Sequence, residues 1–327
     1  MPDLSNMTVS IERAAAILRE GGLVALPTET VYGLGANALD PIAVAKIFAA
    51  KERPFFDPLI VHVPDIDWMP RVVGQFPEIA RQLAQRFWPG PLTLVLPKVD
   101  AIPDLVTSGL PSVGVRIPDH DLTRDVLRLA NVPVAAPSAN PFGRLSPTTA
   151  IHVHAQLGHR IDAIVDGGPC RVGIESTILQ IDDSGVTLLR PGGISLEDIQ
   201  SLVGNVKLPV STVSESPIAP GMLASHYAPR TPLRIVSEAP SSVASTRTGL
   251  LVLCNSAAFT QFAQIEELSP TGDLVTAAAN FFQALHRLDS AGLEEIIAVR
   301  FPENGLGRAL NDRLRRAEHH SSDRSST

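Results

Sequence analysis

Residues 10–190 alternate between short apolar runs and segments with helical spacing. That alternation restricts the chain to an α/β architecture in which helices cover a sheet. Leu23–Leu26, Leu59–Val63, Leu92–Leu96, Val113–Ile117, Val132–Ala136 and Ala163–Asp166 read as strands. Between them, Ser10–Glu20 repeats apolar groups at Ile11, Ala14, Ala15 and Leu18 and stops at Gly21-Gly22. Asp40 caps a helix that starts at Pro41 and runs to Lys51. Phe76–Phe87, Leu122–Leu129 and Thr148–Leu157 are also helical. One pair of runs breaks the pattern: Ser176–Ile181 and Val186–Leu189 flank Asp182-Asp183-Ser184-Gly185, a hairpin turn. The spacing therefore predicts a mixed sheet, not a purely parallel one.

At 327 residues the chain is long for one core. Composition shifts near Gly204, and residues 205–232 are rich in Pro, Ser and Val with no helical period, the pattern of a linker. Strands at Leu233–Val236, Gly249–Leu253 and Ile296–Val299 and helices at Asp273–Leu288 and Leu306–Arg316 then form a small α/β domain over 233–318. The polar stretch 319–327 reads as a disordered tail. The net charge is −7, and residues 1–205 carry 16 Lys and Arg against 22 Asp and Glu, a balance of −6. This argues against a phosphate-tracking nucleic-acid surface as the main role and leaves room for a local basic cleft. Cys170 and Cys254 share no metal or disulfide spacing, and no secretory leader or run of about 18 apolar residues is present. The chain reads as cytoplasmic, with no membrane partner.

The stretch Lys51-Glu-Arg-Pro-Phe-Phe-Asp-Pro-Leu-Ile-Val-His62 places two cations on a helix exit and leads through a proline and an apolar run to one histidine. Such an exit suits phosphates, or is a solvated helix end favoured by the dipole. His62 in an apolar run fits a core position as well as a site. Arg116 interrupts the apolar strand Val-Gly-Val-Arg-Ile-Pro and needs an anionic partner, either an internal acid or a ligand. Gly33, Gly35 and Ala38 fit the G-x-G-x-x-A fingerprint formally, but the next helix signal comes only at Asp40, so these glycines serve a turn or a close backbone approach. Thr28, Glu29 and Thr30 follow a strand end, where ligands bind in α/β folds, and could equally serve as caps. Ala135-Ala-Pro-Ser-Ala-Asn140 offers a hydroxyl and an amide on a tight loop, without the grammar of a serine hydrolase. His152 and His154 are two apart and do not share a helix face, which disfavours a metal cluster with His159. These residues by themselves define an anion-binding α/β protein with an unnamed substrate.

Taken together, Pro27–Ala38 (PTETVYGLGANA), Lys51–Pro54 with Pro58–His62, Val113–Pro118 (VGVRIP), Pro137–Asn140 (PSAN), Glu175–Thr177 (EST) and Arg190–Gly192 (RPG) resemble the YrdC-type threonylcarbamoyl-AMP synthases. Pro220–Pro229 and Gly305–Leu314 resemble the linker and C-terminal signatures of the long two-domain form, so the resemblance spans nearly the whole chain. It implies a YrdC-like domain over 1–204 with a twisted mixed sheet and a large concave cleft, a linker over 205–232 that closes over the active site, and a smaller Rossmann-like C-terminal domain. It implies synthesis of threonylcarbamoyl-AMP from L-threonine, bicarbonate and ATP, with Mg2+ as companion ion and pyrophosphate as leaving group. The product would pass to the machinery that modifies the tRNA adenosine next to the anticodon. Lys51 and Arg53 would be catalytic. Thr30, His62, Arg116, Ala136 and Ser176 would hold threonine. Arg53, Asp57, Ser112, Ser138, Ser146, Arg190 and Tyr227 would line the ATP site. Two positions depart from the family pattern: Asp57 replaces the usual asparagine and Ser112 a common threonine. Related single-domain proteins suggest double-stranded RNA or tRNA binding without ATP turnover as the alternative. A similar domain in hydrogenase-maturation proteins suggests another carbamoylation.

Overall fold

The structure is a computed structural model that describes residues 4, 6–208, 219–222 and 226–324, with side chains described to residue 318. In chain order the first part holds α1 (Ile11–Arg19), β1 (Val24–Leu26), β2 (Gly33–Asn37), α2 (Pro41–Lys51), β3 (Ile60–His62), α3 (Glu78–Phe87), β4 (Leu92–Pro97), α4 (Asp104–Thr107) and β5 (Ser112–Arg116). There follow α5 (Asp121–Ala130), β6 (Val134–Ala135), α6 (Ala150–Leu157), β7 (Ala163–Ile164), β8 (Thr177–Asp182), β9 (Gly185–Arg190), α7 (Leu196–Val203) and β10 (Val206–Lys207). The second part holds β11 (Leu233–Val236), β12 (Thr248–Val252), β13 (Gln264–Glu267), α8 (Leu274–Asp289), β14 (Glu295–Val299) and α9 (Gly307–Arg324).

The helices begin where the sequence supplies caps. Ser10 accepts from the Arg13 N–H, and Asp40 accepts from the Ile42 N–H with Pro41 in the first turn. The ten-stranded sheet has the order β10-β9-β8-β4-β5-β3-β6-β2-β1-β7 and is mixed, as expected. Its hairpin closes at Asp182↔Gly185, with Gly185 at φ 109° and the Ser184 N–H donating to the Asp182 carboxylate. The second sheet, β11-β14-β12-β13, is parallel throughout. Asp273 caps α8, whose Ala277, Ala278, Phe281, Phe282, Leu285 and Leu288 are buried. That core also takes in Val31, Leu145 and Ile174 from the first part and Tyr227 from the connection, so the two parts share one apolar cluster.

Several elements differ from the sequence-based expectation. Val206–Lys207, inside the expected linker, form β10 and pair parallel with β9, and Asp104–Thr107 forms the unexpected short helix α4. The Gly33–Ala38 segment is mostly strand, paired antiparallel with β1 and β6, and holds no nucleotide loop. Gly35 serves packing, since a Cβ there would lie 2.9 Å from Val134 Cγ1, whereas Gly33 brings bare backbone to the cavity described below. Strand β13 lacks apolar alternation (Gln-Ile-Glu-Glu) and is stabilised by pairing with β12. Helix α9 continues to Arg324, into the stretch expected to be a disordered tail, because nothing between Glu318 and Arg324 is Pro or Gly and each added residue gains a helical hydrogen bond. Residues 325–327, the linker's 209–218 and Leu223 to Ser225 of its signature lie outside the described residues. Among the described residues no helix is long and apolar enough to cross a membrane.

Candidate active site

Helix α2 ends at Lys51 because Glu52 takes a left-handed conformation (φ 54°), and the Arg53 N–H folds back onto Phe48 O. This turns Arg53 toward the concave face of the sheet. There it meets Ile60 and His62 of β3, Arg116 at the end of β5, Ser176 just before β8 and Arg190 at the end of β9. All of them line one cavity. Thr28, Thr30, Ala136, Ser138 and Glu175 complete the wall. Pro220, Gly221, His226 and Tyr227 of the inter-domain connection line it as well.

The charges are layered. Three arginines face the cavity, each nearly inaccessible to solvent. Behind Arg53 stands Asp57, with Nη2 to Oδ2 at 2.9 Å, and behind Arg116 stands Glu29, with Nη2 to Oε1 at 2.7 Å. Arg190 is held by carbonyls: Nη2 donates to Ser176 O and Nη1 to Pro220 O, and a further contact reaches the Ser176 hydroxyl at 3.1 Å. Glu175 is an acid on the wall, and both its oxygens are engaged. Ser146 donates to Oε1, and Arg313 of α9 donates to Oε2 at 3.0 Å. A cavity lined by three arginines, in a chain of net charge −7, is built for anions.

The neutral groups are tuned by burial. His62 is pushed down to about 3 by burial and then by Arg116, so it stays an uncharged imidazole at neutral pH. His226 is held well below its ordinary value by burial, with Arg53, Lys51 and Arg190 adding to the effect. Burial raises the Tyr227 phenol, so its hydroxyl is retained. Tyr227 takes φ 61°, packs its ring 4.2 Å from His226 and sits beneath the Arg313 guanidinium at 5.4 Å. Its hydroxyl lies so near Gly221 that a Cβ there would be 2.5 Å away.

Of the residues singled out in the sequence, Arg53, Thr30, His62, Arg116, Ala136, Ser138, Ser176, Arg190 and Tyr227 converge on the cavity. Four do not line it. Lys51 is buried and donates its ammonium protons to the carbonyls of Ser138 and Asn140, fixing the loop that carries Ser138. Burial and Arg53 pull its pKa well below the ordinary value, while those carbonyls favour the charged form. Asp57 is fully buried against Arg53, so the repulsion a phosphate would feel from it is balanced. Ser146 is turned to Glu175. Ser112 begins β5, four residues from Arg116 and opposite Pro97. Sequence reasoning did not single out Glu175, His226, Gly221 or Arg313. The first three sit inside motifs already quoted, and Arg313 belongs to the C-terminal signature, whose role cannot be read without the contact it makes across the chain.

Fold and site together define an α/β protein with an arginine-lined cavity, suited to anions, to which the connection to a second domain contributes Pro220, Gly221, His226 and Tyr227. Residues 16–192 match a family model of the Sua5, YciO and YrdC type, described as telomere recombination. Residues 194–318 match one described as the threonylcarbamoyl-AMP synthase C-terminal domain. The chain is 44% identical to the threonylcarbamoyl-AMP synthase of Bacillus subtilis, over 96% of this chain and 94% of that protein. It is 42% identical to the one from Pyrococcus abyssi, over 94% and 93%. The crystal structure of P. abyssi Sua5 complexed with L-threonine superposes with a TM-score of 0.87 at 38% identity, covering 95% of this chain and 94% of that one. The chain therefore belongs to the threonylcarbamoyl-AMP synthase family, in its two-domain form.

Proposed function

We propose that this protein condenses L-threonine, bicarbonate and ATP into threonylcarbamoyl-AMP and pyrophosphate, and that the product serves threonylcarbamoyl modification of tRNA adenosine. The observation that carries the reading is the convergence of Arg53, Arg116 and Arg190 on one cavity in a chain of this family. In this reading Arg116 receives the threonine carboxylate in a two-pronged contact that lysine could not reproduce. Thr30, His62, Ala136 and Ser176 surround the rest of the amino acid. Neutral His62 can accept from or donate to the threonine hydroxyl without adding charge. Arg53 and Arg190 take the phosphates, with Ser138 beside the nucleotide and Tyr227 over it, while Asp57 and Ser146 act from behind the lining through Arg53 and Glu175.

The chemistry asks for orientation and charge neutralisation. The threonine nitrogen adds to carbon dioxide derived from bicarbonate, giving a carbamate and releasing a proton. A carbamate oxygen then attacks the α-phosphorus, and the bond to the pyrophosphate oxygen breaks. Two anions must approach each other, and the arginines offset that repulsion. Glu175, an acid on the cavity wall, has both oxygens engaged. Magnesium would accordingly be held mainly by the phosphates of ATP, its common mode, where it adds to charge neutralisation. Lys51 acts in this scheme by fixing the Ser138 loop. Release of pyrophosphate from ATP, measured with threonine and bicarbonate omitted in turn, tests the proposal. Release that continues at the same rate without threonine refutes it.

A further inference from the structure

Glu29 is a buried carboxylate with no part in the scheme above. It lies in the turn after β1, and its main chain is fixed on both sides. Thr28 Oγ1 accepts from the N–H groups of Thr30 and Val31. The Val172 N–H donates to Glu29 O at 2.7 Å. The carboxylate therefore enters the protein at a set position, with a side chain fully shielded from solvent.

Its charged neighbour is Arg116, at 2.7 Å. The contact is short but not directional. Neither Glu29 oxygen, nor Arg116 Nη2, makes an aligned hydrogen bond among the described residues. Among the described residues Arg116 spends only Nε in a hydrogen bond, on Gly90 O at 3.2 Å. Buried polar groups left in this state point to a ligand that completes them. A carboxylate arriving from the cavity fits the unspent guanidinium protons, while Glu29 restrains the guanidinium from behind. Charge bookkeeping agrees. Beside neutral His62, Arg116 without Glu29 would stand as a lone buried cation.

We infer that Glu29 is a positioning residue: through its contact with Arg116 it orients and balances the guanidinium so that the free N–H groups receive the α-carboxylate of the amino-acid substrate. This rests on the amino-acid site proposed above. It predicts a defect confined to one substrate, because Arg53 and Arg190 lie on other elements and have their own partners.

The test is Glu29→Gln, Arg116→Met and the double variant. Circular dichroism reports folding, and L-threonine and ATP affinities are measured separately by calorimetry and by KM. The expected result for Glu29→Gln is an L-threonine affinity weakened roughly tenfold or more. ATP affinity should stay within about twofold, and kcat at saturating threonine should change less than KM. In the Arg116→Met background the same change should have little further effect. Wild-type threonine affinity in Glu29→Gln overturns the inference, and so does equal weakening of both substrates. An undiminished effect in the Arg116→Met background also overturns it, since Glu29 would then act without Arg116. If Glu29→Gln does not fold, Glu29→Asp keeps the charge but withdraws it by one methylene, and it must show the same selective defect. A wild-type protein that neither binds nor needs threonine would instead defeat the functional proposal, so the two failures are distinct.

Discussion

The contact that ties the second domain to the cavity is Arg313, and replacing it with methionine gives the sharpest energetic prediction. Its side chain is completely shielded from solvent. Nε donates to Glu175 Oε2 at 3.0 Å and Nη1 to Pro191 O at 2.5 Å, and the guanidinium covers the Tyr227 ring. Methionine fills much of the space but leaves the Glu175 carboxylate buried on the cavity wall with Ser146 as its partner. Removing one member of a buried pair costs about 3–5 kcal/mol, chiefly because the remaining charge is uncompensated. The lost bond to Pro191 O adds roughly 1 kcal/mol. We therefore expect urea denaturation to report a loss of about 4–6 kcal/mol. Threonine-dependent pyrophosphate release should fall more steeply, since Tyr227 loses its support. The reasoning is checked by adding Glu175→Gln to Arg313→Met. If the orphaned charge causes the loss, removing it should return about half or more of the stability. A loss below about 1 kcal/mol in Arg313→Met, or a double variant less stable than the single, refutes the account.

Two further outcomes follow from the buried charges. His62 and His152 are both depressed to about 3, in each case mainly by burial, with Arg116 and His286 respectively as the next cause. Groups with a lowered folded pKa are protonated more readily in the unfolded chain. Their stability contribution is complete above about pH 6.5 and lost as pH falls toward 3; at pH 5 each should have lost about 2 kcal/mol. Denaturation at pH 7 and pH 5 should show this loss, and replacing His152 with an apolar residue should remove its share. Asp57→Asn strips the counter-charge from buried Arg53. It should cost a few kcal/mol of stability without ATP and tighten ATP binding, because the arginine no longer divides its charge with an internal acid. Calorimetry showing weaker ATP binding in a folded variant would contradict that placement of Asp57.

Most of the strands and helices were legible because their periodicity is local, and the hairpin at Asp182–Gly185 announced a mixed sheet before any pairing was known. The misread strands share one physical cause. Strands β2 and β13 carry glycine or consecutive polar residues, and only their neighbours in the sheet make them strands. The same limit governs the site. The residues facing the cavity sit in compact motifs, so Arg53, His62, Arg116, Ser138 and Arg190 could be gathered from the sequence. What each charge leans on is not local: Arg313 reaches Glu175 across 138 positions, and Arg116 draws on an acid from a different turn. The counter-charges decide whether a buried arginine is an internal strut or a free hand for a ligand. In Arg53 and Arg116 the acid stands behind the guanidinium while the cavity lies in front, so one residue serves both roles. A sequence reading that sets salt bridge against ligand as alternatives therefore poses a choice that this layered arrangement does not make.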